Sequence, residues 1–203
     1  MLEIRIRSIL CWRFFTALIL VPSLAFAQAS PPLTRLLQSA YEQVGKTVSY
    51  DPSYQAIAFP AGDVPFERGV CTDVIIRAYR GIGIDLQVLV NRDMRKEFGA
   101  YPHLWSLSHP DPNIDHRRVP NLMVFFARHG QVLRISNEVR DYNAGDIVTW
   151  RLPDGRPHIG LISDRQVNGR PLAIHNIGAG TQVEDILFAF AITGHYRFEE
   201  AGD

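Results

Sequence analysis

The stretch "GDIVTWRLPDGRPHIGLISDRQVNGRPLAIHN" (residues 145–176) decides between the fold classes open to this chain. Three runs in it, "GDIVTW" (145–150), "HIGLIS" (158–163) and "PLAIHN" (171–176), are short and apolar, the pattern of strands. Pro153-Asp154-Gly155 joins the first two, and Asn168-Gly169 supplies a tight hairpin turn before the third. "AITGHYRF" (191–198) reads as a last strand. Upstream the apolar period changes. Leu33, Leu36, Leu37, Ala40, Tyr41 and Val44 form one helical stripe across residues 32–44, with Ser30 as a cap and Gly45 as a stop. Cys71, Val74, Ile75, Ala78 and Tyr79 share a face of a second helix that Gly81 ends. Ile76 lies off that stripe, which implies wider burial. Residues 85–98 read as a third helix capped by Asp85, while 46–69 and the polar "HPDPNIDHRRVPNL" (109–122) read as irregular. "NLMVFFARHG" (121–130) is apolar but of open type. Helices early and antiparallel strands late predict an α+β fold, N-terminal helices packed on an antiparallel sheet.

The amino terminus predicts the compartment. Arg5, Arg7 and Arg13 precede or flank the apolar run 14–21, and Ala25-Phe26-Ala27 closes it as a small-x-small cleavage site. That order is a secretory signal peptide over residues 1–27, with one domain over 28–203. The apolar run is shorter than the roughly 20 residues a membrane-spanning helix needs, so no stable anchor is expected after cleavage. The expected location is periplasmic or secreted. The whole chain is neutral and the leader carries three Arg and one Glu, so the remainder sits near −2. No basic excess points to nucleic acid. Cys11 leaves with the leader, and a single remaining cysteine excludes an intramolecular disulfide.

Cys71 therefore needs a different explanation. A helix N-terminus presents unsatisfied N–H groups and favours negative charge, conditions that activate a thiol. The bland alternative is a small buried hydrophobe. Among seven histidines, His158 stands out because it opens a strand directly after a turn. Gly160, two residues on and on the same face, would let another backbone such as a helix end approach. A third group should orient the imidazole. A tight turn pairing Val167 with Arg170 puts His175 on the face of His158 and Asn176 on the other; a bulge would reverse the choice. No metal or cofactor is expected, because the histidines lack helical metal-ligand spacing and one cysteine cannot build a zinc thiolate cluster.

These residues in this order resemble the NlpC-type cell-wall cysteine peptidases of the papain-like superfamily. The resembling pieces are a helix-borne cysteine, "GDIVTW", "HIGLIS" and "AIHN", with "VGKTVSY" (44–50) as an early Gly-x-x-Tyr region. "GVCTDVIIRAYR", "DLQVLV", "DPNIDHRRVPNL", "HNIG" and "TGHYRF" are similar to the YijF-type family of secreted bacterial proteins, a domain of unknown function. The first resemblance implies a papain-like NlpC-type fold with Cys71 as nucleophile, His158 as base and His175 orienting it. It implies that Tyr50 donates to the oxyanion, with Tyr54 as a rival because the gap to Cys71 is long. "CTD" replaces the usual "CSG", so Asp73 either caps the helix or binds a basic substrate group. Arg117 and Arg118 would receive the carboxylates of peptidoglycan stem peptides, unless a pair such as Asp115–Arg117 only braces the loop. The expected activity is amide hydrolysis in peptidoglycan, as an endopeptidase or amidase. The alternatives are a non-catalytic wall-binding module on the same fold and a thiol acyltransferase.

Overall fold

A computed structural model describes residues 30–106 and 108–199. The expected signal peptide and Cys11 lie outside the described residues. The elements in order are α1 (Pro31–Tyr41), β1 (Ser49–Tyr50), β2 (Arg68–Gly69), α2 (Cys71–Arg80), α3 (Leu86–Lys96) and α4 (Val119–His129). Then come β3 (Gln131–Val132), β4 (Ile147–Arg151), β5 (Pro157–Val167), β6 (Arg170–Asn176), β7 (Thr181–Glu184) and β8 (Ala191–Arg197). Strands β3 to β8 form one antiparallel sheet in the order β3-β8-β4-β5-β6-β7, and β1 and β2 make a small parallel pair.

The pleat sends alternate residues to two cores. Ile147, Ile159, Leu161 and Ile174 pack with Leu36, Ala40, Val74, Ile75 and Phe126 of the helices. Val148, Trp150, Ile162 and Ala173 pack on the other side under Ile186 and Leu187 of the β7–β8 connection. The sheet is thus buried on both faces, and α2 is buried almost all round, Ile76 included. Asp146 of the Gly-Asp pair is part of the framework. It accepts from the Asn143 amide and from Arg197, and faces His195 Nε2 at 2.9 Å, tying the start of β4 to β8.

The structure departs from the sequence-based expectations at several ends. Helix α1 stops at Tyr41, the chain turns through Gly45 at φ +74°, and Val44 leaves the apolar stripe for solvent. Helix α3 stops at Lys96, two residues early, while Asp85 caps it by accepting from the Gln87 amide. The apolar segment of open type is helix α4, opened by Pro120 in its first turn. Strands β3 and β7 were not expected, nor were β1 and β2 at the two ends of the segment 46–69, which reads as irregular in the sequence.

The β5–β6 register fixes the side chains that matter. Val167 pairs with Arg170 and Gln166 with Pro171, as a tight turn requires, but Ile162 then pairs with Ala173. Residues 163–165 of β5 face Leu172 alone, a shift of two. A shift of two preserves the pleat's parity, so His158 and His175 share a face. Gly160 serves a purpose other than the one expected. A Cβ there would lie 3.1 Å from the Trp150 ring, 3.2 Å from His175 Cβ and 3.2 Å from the Ile174 carbonyl. The glycine makes room for its sheet neighbours, not for a helix end.

Candidate active site

Cys71 opens α2 because the preceding turn is closed by Asp73. Its Oδ2 accepts from the Val70 amide at 2.7 Å, capping the helix. The sulfur is buried, yet Cys71 lines a cavity of about 400 Å³ shared with Tyr50, Arg117, Arg118, Arg156 and His158. The backbone N–H groups of Ile159, Thr72 and Cys71 itself lie on the sulfur's side and act to lower its pKa. Ile159 directly follows His158, so the helix start and the start of β5 meet at this atom. Cys71 and His158 line one cavity without a direct hydrogen bond between their side chains, and the His158 ring packs against Trp150 and His175.

Behind His158 runs a chain of side chains. His158 Nε2 lies 3.0 Å from His175 Nδ1, and His175 Nε2 lies 2.9 Å from Glu184 Oε2. An ionised carboxylate only accepts, so His175 donates from Nε2 and its Nδ1 carries the lone pair. His158 must then donate from Nε2, which leaves the lone pair on Nδ1. That nitrogen makes no hydrogen bond among the described residues. Asn176, the other candidate for the third position, points elsewhere: its Nδ2 donates to the carbonyls of Gly69 and Ser49. It ties β6 to the β1–β2 pair that carries Tyr50 up to Cys71.

Burial dominates the electrostatics. It pushes the Cys71 thiol up to about 12, with Asp73 adding to the rise and the three N–H groups opposing it. The resting thiol is therefore neutral, contrary to the expectation that the helix terminus alone would make it anionic; desolvation outweighs the dipole here. Burial also pushes His158 down to about 3, helped by His175 and Arg156. His175 is lowered by burial despite Glu184. Burial and the neighbouring thiol push Tyr50 up to about 12, keeping its hydroxyl a donor beside the sulfur. Tyr54 also lines the cavity, but its hydroxyl is engaged with Asp111 at 3.1 Å and Asn113 at 3.0 Å.

The two expected carboxylate receivers and Asp73 are placed differently from expectation. Arg117 Nε and Nη2 meet Asp73 Oδ1 and Oδ2 at 2.8 and 2.9 Å, with both side chains at 2–3 % exposure. Asp73 is wholly occupied by this pair and its cap, so it is no receiver of a basic substrate group. The bracing expected of an Asp115–Arg117 pair is made by Asp73–Arg117 and Asp115–Arg118, the latter at 2.9 Å. Arg118 also lies over the Trp105 ring at 3.9 Å. Both guanidinium residues still line the cavity. Glu184 and Arg156 were missed from the sequence. Glu184 sits on the unrecognised β7, where His175 pairs with Gln182. Among the described residues no group of three or more His, Cys, Asp or Glu could hold a metal ion, and no helix is long and apolar enough to cross a membrane.

Residues 37–198 match the family model described as "Domain of unknown function (DUF1287)". The chain belongs to the DUF1287 family. A relative from Escherichia coli (strain K12), described as "Uncharacterized protein YijF", is 52% identical over 178 residues, 87% of this chain and 86% of that protein. The matched span of the family model contains every cavity residue named above.

Proposed function

We propose that this DUF1287 protein is a secreted, cysteine-dependent amide hydrolase on a papain-like, NlpC-type fold, acting on peptidoglycan stem peptides in the periplasm or outside the cell. The observation that carries the reading is one cavity lined both by Cys71, at a helix start, and by His158, whose Nε2 is held by the His175–Glu184 chain. Thiol and imidazole both rest neutral, so proton transfer accompanies attack instead of preceding it. His158 Nδ1 takes the thiol proton as the Cys71 sulfur bonds to the amide carbon. The N–H groups at the helix start and the Tyr50 hydroxyl hold the oxyanion. The C–N bond breaks as the imidazolium returns its proton to the leaving amine. Water, deprotonated by the same nitrogen, then cleaves the thioester and regenerates the thiol. A positioned base contributes roughly 10²–10⁴-fold and one oxyanion donor roughly 10²–10³-fold.

The burial of Cys71 favours a second reading, a non-catalytic wall-binding module. Purified sacculi separate the two. The protein should release soluble fragments that the Cys71→Ala variant does not, and their masses name the bond. Equal release, or none from either, would overturn the hydrolase. Adding a free amine tests acyl transfer: a product heavier by that amine, less water, identifies it.

A further inference from the structure

The wall of the cavity carries three guanidinium side chains, Arg117, Arg118 and Arg156, and no Asp or Glu. Each arginine has a carboxylate partner: Asp73, Asp115 and Asp154 respectively, at 2.8, 2.9 and 2.6 Å. None of those partners lines the cavity. The formal charge of the lining residues is therefore positive, with the balancing carboxylates set outside the lining. Nη1 of Arg117 is buried and without a hydrogen-bond partner among the described residues. A buried unpaired donor is costly and rare, so it marks a place where a ligand group is missing. Arg118 is held flat by the Trp105 ring and Asp115, which fixes its fork in advance of any ligand. Arg156 sits on the β4–β5 turn, its Nε committed to Asp154 and its terminal nitrogens without a hydrogen bond among the described residues.

Resting on the hydrolase reading above, we infer that this cavity recognises a free carboxylate on the substrate, close to the amide at Cys71, through Arg117, Arg118 and Arg156. The substrate class is then an acidic peptide. An amidated peptide or one presenting an amine is disfavoured. Guanidinium forks match carboxylates bidentately, and a carboxamide offers only one acceptor and no charge.

The test measures binding without turnover. The Cys71→Ala protein is titrated with N-acetyl-Ala-Glu, which has two free carboxylates, and with N-acetyl-Ala-Gln-amide, its neutral isostere, by ligand-detected NMR at low and high salt. The acid is expected to bind at least about tenfold more tightly than the amide, less so at high salt. Arg156→Gln and Arg118→Gln, on exposed and part-exposed side chains that leave the buried Asp73–Arg117 pair intact, should each weaken acid binding more than amide binding and so remove most of that preference. Equal binding of the two peptides, tighter binding of the amide, no binding of either, or a preference that survives both substitutions would overturn the inference. Cys71→Ala cannot turn over by the proposed route, so loss of the hydrolase reading shows in the sacculus assay and loss of carboxylate recognition shows only here.

Discussion

Replacing Asp73 with asparagine tests whether the buried carboxylate is structural. In the native protein Asp73 faces Arg117 through two bonds of 2.8 and 2.9 Å and the Val70 amide through one of 2.7 Å. The carboxamide would keep the cap but return only one acceptor to the guanidinium, leaving its charge buried without a counter-charge. Breaking one side of a buried ion pair costs about 3–5 kcal/mol. A domain of this size is stable by about 5–15 kcal/mol, so the variant should fold but be visibly weakened. With a urea slope of about 2 kcal/mol per M, the unfolding midpoint should fall by about 1.5–2.5 M. Fluorescence of buried Trp150 reports the transition. The double variant Asp73→Leu, Arg117→Met should recover much of the loss, because it removes both charges together. A loss below about 1 kcal/mol at unchanged slope would refute the reasoning and reopen a substrate-binding role for Asp73.

Other expectations follow from the same contacts. Glu184→Gln removes the carboxylate that orients His175 and should lower kcat by roughly 10- to 100-fold with little change in unfolding midpoint; an unchanged kcat would remove Glu184 from the site. Burial holds His158 at about 3, so kcat/KM should stay flat on the acid side to well below pH 6, and an acid limb at about 6.5 would contradict the neutral base. That His158 pKa lies below the unfolded value of about 6.5, so its contribution to stability is full above about 6.5 and lost as pH falls from there toward about 3. Asp93 behaves with the carboxylate sign. Burial acts to raise it, but hydrogen bonds from Arg128, Tyr101 and His129 win and hold it below the usual range. Its contribution is present above about pH 4 and disappears below it, so Asp93→Asn should flatten the acid fall in stability; parallel curves would contradict this.

The parts of the fold that local pattern controls were legible. Strands β4, β5 and β6 announce themselves through short apolar runs and the turns at Gly155 and Asn168-Gly169, both of whose glycines take positive φ. Asp85 marks a helix start by its cap, whereas Pro120, at the start of α4, reads in the sequence as part of an irregular loop. The pairing of His158 with His175 followed from hairpin parity, and survived only because the irregularity in β5 spans two residues instead of one. What failed depends on distance in sequence. Asp73 meets Arg117 from 44 residues away, and nothing local to "CTD" announces that partner. Strand β7 is four residues long and three of them are polar, so Glu184 stayed hidden; the Gly178 and Gly180 turn after His175 was its one usable signal. Tyr50 reaches the cavity through a two-residue parallel pairing with β2, while the loop between them is gathered by buried Arg77, bound to Asp63 and to the Val64 and Arg68 carbonyls. The charge of the thiol depends on burial, a property of the whole packed core, and a helix start read in isolation gave the opposite sign.

The central claim is that Cys71 and His158 act as one chemical unit. Fragment release from sacculi by the unmodified protein, Cys71→Ala, His158→Ala and the double variant, measured in parallel, tests it. Each single substitution should cost at least about 10²-fold, and the double should be no worse than either, because groups that share one proton transfer lose their effect together. Losses that multiply, or a single variant that releases fragments at the unmodified rate, would contradict it.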